Sequence, residues 1–510
     1  MNPGLLGSVE TGVATVDTVV FACLLVGLIV CLAMEEKLHA KKSVIAGTFA
    51  IVCLLLGTIR GVLPFDDVVV GSHQVNTHQG IEGTFQGDHE KEHFQLSQTD
   101  KESHLHYDGH RLRMPVYIPG IDWGVIAIIL GSSLFVDVTS RSGLFTWIAI
   151  KVTKASRGDP LKLLFFYGFM TVIFSAVLNN VTAMIIIGSL TVVSLDKLKL
   201  REKLLGFLVI EGLLTNIGGL LTLISSVPNI IVGTAANISF MTFFIKACPY
   251  VLVTTLITLW MGARIFGIQR LRDSIAQSEA EQLVASFDET DGIESWGFFW
   301  FGTGMLILFI IVIATTSVLP FVRDLEMGFV ALAFAGIMLI RYRSVADDFY
   351  RAIDWDLIGF FMALFVVIYV MEHAHVLHAI GTGLRYVLLH IQDDPAHWVD
   401  SSVLLLGAAG FSSVTDNIPL AAMLANILKN LDAQIATATV QETGLWWSVI
   451  FGANLGGNLT PIGSASTLVA VTIMHKHKLQ ISFARFVKVA IPFALVQITL
   501  AVIYVLLFLR

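Results

Sequence analysis

Two stretches of small and amide-bearing residues interrupt an otherwise apolar chain, and these are the places where chemistry can be done. The first is Phe174-Ser-Ala-Val-Leu-Asn-Asn-Val181, followed by Thr215-Asn-Ile-Gly-Gly219 and Ser225-Ser-Val-Pro-Asn229. The second is Phe411-Ser-Ser-Val-Thr-Asp-Asn-Ile418, followed by Ala453-Asn-Leu-Gly-Gly457 and Pro461-Ile-Gly-Ser464. In hydrocarbon, backbone leaves the helix only where it is buried in protein or lines a cavity. Transporters place such breaks near the midplane, where carbonyl, amide and hydroxyl oxygens hold small cations and half-helix N-termini hold anions. The candidate ion- or substrate-binding residues are therefore Asn179, Asn180, Thr182, Asn216, Ser225, Ser226 and Asn229 in the first stretch. In the second they are Asp416, Asn417, Asn454, Gly463, Ser464, Ser466 and Thr467. Each tip is expected to face its own break, Asn179, Asn180 and Thr182 towards 225–229, Asp416 and Asn417 towards 463–467. A single Asn in a membrane helix more often stitches helices together; two matched clusters beside helix breaks point to a site.

Asp416 is the one carboxylate at a tip, and its counterpart Asn179 is neutral. An ionisable group at membrane depth is expensive and marks function. A proton and a cation can compete for Asp416, which is the simplest logic of an antiporter. Glu211, shortly before Asn216, is a second candidate for carrying a proton, with a structural salt-bridged Glu as the alternative. Asp137 and Arg141, and Glu372, His373, His375 and His378, read as interface residues, the histidines with a potential for pH sensing. His89-Glu-Lys-Glu-His93 matches the H-E-x-x-H pattern of zinc proteases, yet its flanks are polar and no third ligand follows. His89 and His93 are weak metal candidates, and no metal site is expected. Cys23, Cys31, Cys53 and Cys248 lie in apolar spans with no paired spacing. Nothing matches a phosphate-binding P-loop, so transport is powered by a gradient or by a separate subunit.

The elements that position these residues follow from composition. Of 510 residues, 55% are hydrophobic and 14% charged, which excludes an ordinary soluble enzyme and defines an all-α polytopic membrane protein. The net charge of −7 comes mostly from two polar segments. Basic connections at Glu35-Glu-Lys-Leu-His-Ala-Lys-Lys42, 196–203 and Arg341-Tyr-Arg343 are placed in the cytoplasm by the positive-inside rule. The N-terminus and the acidic His-rich loop are then outside. Residues 161–195 carry positive charge at both ends and read as a re-entrant hairpin turning at Asn179-Asn180.

Ile121-Asp-Trp123 and Ile353-Asp-Trp355 open matching spans, and the tips and breaks follow at nearly constant offsets, which is an internal repeat. The connection after the second hairpin lacks the basic residues of 196–203, so the repeats are inverted. The expected architecture is about ten transmembrane helices, two opposed re-entrant hairpins and two broken helices. Its divisions are scaffold helices 1–64, the external loop 65–116 and a first repeat 117–263 with hairpin 161–195 and broken helix 204–240. A cytoplasmic linker 264–296 and scaffold helices 297–341 follow. The second repeat is 342–486, with hairpin 402–428 and broken helix 446–474, and 487–510 is the last helix.

Ser175-Ala-Val-Leu-Asn-Asn-Val-Thr182, Glu211-Gly-Leu-Leu-Thr-Asn-Ile-Gly-Gly219, Ser413-Val-Thr-Asp-Asn-Ile-Pro419 and Gly452-Ala-Asn-Leu-Gly-Gly-Asn-Leu-Thr-Pro-Ile-Gly463 resemble the ion transporter superfamily. That group includes arsenite permeases, the P protein, NhaD-type sodium/proton antiporters and citrate or dicarboxylate transporters. The resemblance implies a scaffold domain, a homodimer, elevator-like alternating access in a bacterial inner membrane, and no cofactor beyond the coupling ion, sodium and/or proton. The first tip here is Asn179-Asn180 where the superfamily often has Asp-Asn, and Ser225-Ser-Val-Pro-Asn229 stands where it often has Gly-Asp-Pro-Pro-Asn, so two acidic positions are missing. The leading expectation is a sodium or other small-cation/proton antiporter moving a small inorganic ion, with no nucleic-acid partner. The alternatives are a coupled anion permease or an arsenite exporter, the latter with a separate ATPase subunit. A membrane metalloprotease using the external loop is the remote third.

Overall fold

The structure is a computed structural model that describes residues 15–63, 84–87, 90–93, 118, 120–290, 292–320, 322–343, 347, 350–351, 353–388, 397–414, 417–434, 444–461, 463–479 and 481–509. Asp416 and His89 lie outside the described residues; His93 is in a short two-stranded ribbon, β1 (Thr84–Gly87) with β2 (Glu90–His93). All other regular structure is helical. Among the described residues nine helices are long and apolar enough to cross a membrane. The chain is an integral membrane protein.

The first helices are α1 (Thr15–Ala33), the single turn α2 (Glu35–Leu38) and α3 (Lys42–Ile59). The first repeat consists of α4 (Trp123–Ser140), α5 (Leu144–Ala155), the hairpin α6 (Pro160–Val177) and α7 (Asn180–Lys197), the broken helix α8 (Leu204–Gly218) and α9 (Val227–Ala235), and α10 (Phe240–Ile265). After the linker helix α11 (Ser274–Ala285) come α12 (Trp296–Thr315) and α13 (Val322–Arg341). The second repeat has α14 (Trp355–His373), α15 (Val376–Val387), the hairpin α16 (Trp398–Ser412) and α17 (Asn417–Gln434), the broken helix α18 (Gly444–Gly456) and α19 (Ala465–Lys476), and α20 (Phe483–Phe508).

The repeat extends to single hydrogen bonds. Asp122 and Asp354 each cap their helix by accepting from the third residue on, Val125 N and Leu357 N, both at 3.0 Å. The following Trp123 and Trp355 donate their indole N–H back to Ile118 O and Tyr350 O. Ser239 and Ser482 cap α10 and α20, each 26 residues long with one internal proline, Pro249 and Pro492. The last pair also fixes the relation between the copies. Tyr250 of α10 reaches Gln497 O of α20, while Tyr504 of α20 reaches Lys246 O of α10. Two equivalent helices therefore run antiparallel, and the repeats are inverted.

Each repeat leans on the scaffold helix of the other: α3 packs on α14 and α13 on α4, with Ser43 held by Asp356. The hairpin arms pack on the broken helices through glycines that allow backbone contact. A Cβ on Gly218 would stand 2.7 Å from Val172 O, and one on the equivalent Gly456 only 2.3 Å from Ala409 O. Tyr167 and Ser194, at mirrored places on α6 and α7, are joined by hydroxyls 2.7 Å apart, so these two arms are antiparallel.

Candidate functional site

The breaks in α8–α9 and α18–α19 cover residues 219–226 and 457–464 and meet at the centre of the molecule. Both begin at glycine pairs, and Pro228 lies in the first turn of α9, where a missing N–H costs nothing. Each break is held to its own hairpin by equivalent bonds. Ser175 donates to Thr215 O (2.6 Å) and Ser412 to Ala453 O (2.5 Å); Thr222 donates to Ala176 O and Thr460 to Ser413 O.

Between the repeats the asparagines cross over. Ser464 and Ser466 of the second repeat donate to Asn216 Oδ1 at 2.8 and 3.1 Å. Ser226 of the first donates to Asn454 Oδ1 at 2.8 Å, and Asn454 Nδ2 donates to Asn229 Oδ1 at 2.8 Å. Thr215 adds a bond to Ser466 Oγ. The tips stand beside their own breaks, Asn180 against Gly219, Asn417 in one cavity lining with Ser464 and Ser466; in addition each break bonds the asparagine of the other repeat. Inverted topology explains this, since the pseudo-two-fold axis brings each half-helix end against its mate's asparagine rather than its own.

Residues absent from the sequence-based set complete the network. Asn216 Nδ2 donates to Asn458 Oδ1 (2.8 Å), Asn458 Nδ2 to Gln497 Oε1 (2.8 Å), and Gln497 Nε2 to Thr258 Oγ1 (3.0 Å). Asn216, Asn229, Asn454 and Asn458 are fully buried, and every one of their amide groups has a partner, as burial of an amide requires. This arm has no mirror image, because the residue equivalent to Asn458 is Leu220.

A cavity of about 440 Å³ opens beside this knot. It is lined by Asn179, Asn180, Thr182, Ser225, Ser226, Asn417, Ser464 and Ser466, by the charged Lys42, Asp137, Asp354 and Asp356, and over much of its surface by apolar side chains such as Ile129, Val177, Ile224 and Phe360. Four helices start at it: α7, α9, α17 and α19. Asn179 caps α7 by accepting from Thr182 N at 2.7 Å, and Asn180 is held by Ser175 at 2.6 Å. The remaining expected ligands serve the walls. Ser225 donates to Gly219 O and Thr222 O, Asn229 Nδ2 to the same two carbonyls, and Thr467 to Ser464 O. Gly463 N donates to Thr460 Oγ1. Glu211 lies outside the cavity, on α8 against α7, with Thr191 Oγ1 donating to its Oε1 at 2.6 Å. Asp137 pairs with Arg141 at 3.3 Å. Among the described residues no cluster of three metal-ligating side chains exists.

Inverted repeats, paired helix breaks and a central polar cavity define a membrane transporter. The chain belongs to the family described as citrate transporter, whose sequence model matches residues 108–452. It is similar to an uncharacterized transporter of Mycobacterium bovis, 29% identical over 76% of this chain and 86% of that protein. It is also similar to the P protein of Mus musculus, 25% identical over 78% of this chain and 55% of that longer protein. Two solved structures share the fold. The YdaH transporter of Alcanivorax borkumensis aligns with a TM-score of 0.56, 13% identity and coverage of 92% of this chain and 98% of that one. MtrF of Neisseria gonorrhoeae, titled among antimetabolite efflux pumps, gives 0.53, 12% identity, 92% and 95%.

Proposed function

We propose that this protein is a secondary active transporter that carries a small anion, coupled to sodium or protons, by alternating access. The observation that carries the reading is the convergence of four helix N-termini on one cavity, where amide and hydroxyl side chains stand at the helix starts. Each helix start presents N–H groups not used within the helix and roughly half a positive charge, so these helix ends favour negative solutes, in a cavity whose lining also carries Lys42 and three acids, Asp137, Asp354 and Asp356. A volume of about 440 Å³ accommodates a small oxyanion or carboxylate. The family's description supports the same direction. In this reading the hairpins and broken helices move together against the scaffold pairs α3–α14 and α13–α4, and the part of the cavity bearing Lys42, Asp354 and Asp356 faces the cytoplasm by the charge of its flanking connections.

Asp416 favours a second reading, sodium/proton antiport, because it precedes Asn417 at the start of α17 and is the one acid in either tip motif. Proteoliposomes loaded with a pH dye separate the two. Citrate, succinate, phosphate, arsenite, sodium and lithium pulses are applied in turn. Uptake of an anion that Asp416→Asn alters only in its ion coupling supports the first reading. Sodium-evoked proton movement that Asp416→Asn abolishes, with no anion uptake, supports the second.

A further inference from the structure

We infer that Glu211 is a proton-carrying site, separate from the solute cavity, served by a file of buried hydroxyls on α7, α6 and α5. The inference rests on the gradient-driven reading above. Glu211 is completely buried; one carboxyl oxygen accepts from Thr191 and the other, Oε2, is buried with no partner. A carboxylate that is fully ionised in such a place needs a counter-charge or several donors, and neither is present. The helices packed on this part of α8 supply apolar contacts: α10 through Gly262 against Ile210, α19 through Ala470 against Gly212. α6 contributes the buried hydroxyl of Tyr167. The other charged groups on these elements make no contact with the carboxyl: Lys162 near the start of α6, Asp196 and Lys197 on α7, Arg201, Glu202 and Lys203 before α8, Lys246 and Arg264 on α10, and His475 and Lys476 on α19.

From Glu211 a route leads outward. Thr191 and Ser194 share one face of α7, one turn apart, with no hydrogen bond between them, so the proton crosses this step by a side-chain rotation or an intervening water. Ser194 Oγ is 2.7 Å from Tyr167 Oη, which is 2.6 Å from Thr153 Oγ1 on α5. Thr153 donates to Ala149 O, which leaves its oxygen to accept from Tyr167 and orients the file. It ends at the buried Thr153, next in sequence to Lys154, which is part-exposed and pairs with Glu289 after the linker helix. In the second repeat Val449 takes the place of Glu211. Glu211 is also mechanically close to the solute. Asn216 follows it on the same helix by about 7.5 Å at 1.5 Å per residue, and Thr215 holds Ser466 at the cavity wall at 2.9 Å. An anion in the cavity and an ionised Glu211 repel, so solute and proton load together. The step is proton transfer alone: the carboxyl O–H breaks, the proton moves along the hydroxyls to water that must reach buried Thr153 from the side of the part-exposed Lys154, and Glu211 is left anionic.

The test uses the full-length protein in liposomes. Infrared spectroscopy is expected to show a protonated-carboxyl band that Glu211→Gln removes and whose hydrogen–deuterium exchange Tyr167→Phe slows. In parallel, proton uptake accompanying a citrate, succinate or phosphate pulse is expected to be lost in Glu211→Gln, while exchange of internal for external solute persists. That exchange also reports that the variant is folded. A band that survives Glu211→Gln, or an unchanged number of protons per solute, overturns the inference. If the wild type moves none of these solutes, the transport reading fails and the infrared arm alone decides: a band specific to Glu211 upholds the protonation site, and its absence removes it.

Discussion

Replacing Asn454 by alanine removes the centre of the contact between repeats. Asn454 accepts from Ser226 and donates to Asn229, and its third bond, to Ile450 O, lies within its own helix. Two estimates compete. Hydrogen bonds between membrane helices average about 0.6 kcal/mol in double-mutant cycles, because freed groups find other partners. A buried polar group left without a partner costs about 1–3 kcal/mol. Here Asn229 is fully buried and Ser226 is 7% exposed, and the amide nitrogen of Asn229 is already committed to Gly219 O and Thr222 O. The orphaned-group figure therefore applies, and Asn454→Ala is expected to destabilise by about 2–4 kcal/mol. Reversible unfolding in mixed detergent micelles measures it, with Ser402→Ala, whose bond lies on an exposed helix face, as control. A cycle with Ser226→Ala isolates the cross-repeat bond and is expected to show coupling of about 1 kcal/mol. If Asn454→Ala is no worse than the control, or the two changes simply add, the crossed network does not hold the repeats together.

The remaining predictions concern packing and charge. Gly456→Ala places a methyl 2.3 Å from Ala409 O, a backbone atom that cannot yield, so folded yield in membranes falls by more than for Gly407→Ala, which meets nothing. Gly219→Ala meets both side-chain atoms of Asn180 at 2.7 Å; solute binding weakens while the fold survives, as read by fluorescence-detected gel filtration beside a binding assay. Glu289 is bound by Lys151 and Lys154, which hold its carboxyl below the usual range, Lys151 first. A lowered folded value means the stabilisation is present above the unfolded carboxylate range of about 4.3 and is lost as pH falls through the folded value. The acid side of the thermal stability profile therefore flattens in Glu289→Gln, and moderate salt has the same effect on the wild type because the group is exposed.

Much of this was written in the chain. The Ile-Asp-Trp openings announced the repeat because one acid caps each helix while one indole folds back on the preceding loop. The tips and breaks were visible because Asn, Ser and Gly are conspicuous against leucine and isoleucine. The crossing of the asparagines was not, since residues some two hundred positions apart are joined only by the pseudo-two-fold axis. Asn458, Gln497 and Thr258 escaped for a different reason: they break the repeat, and a search for matched pairs passes over residues with none. The signal existed in Gln497, a lone amide in a strongly apolar span, which at that depth needs a partner. Asn229 and Thr467 read as ligands by type, yet they satisfy the carbonyls of the breaks they flank.

The central claim is that the solute sits at the four helix starts. Thr182 lies in the cavity wall in the first turn of α7, so a single cysteine there, with the four native cysteines replaced, reports occupancy. The measurement is the rate of modification of Thr182→Cys by a small charged thiol reagent, with and without whichever anion the proteoliposomes accumulate. The account predicts that the anion slows modification in proportion to its occupancy of the site. Equal rates with and without a demonstrably transported anion would place the solute elsewhere and contradict it.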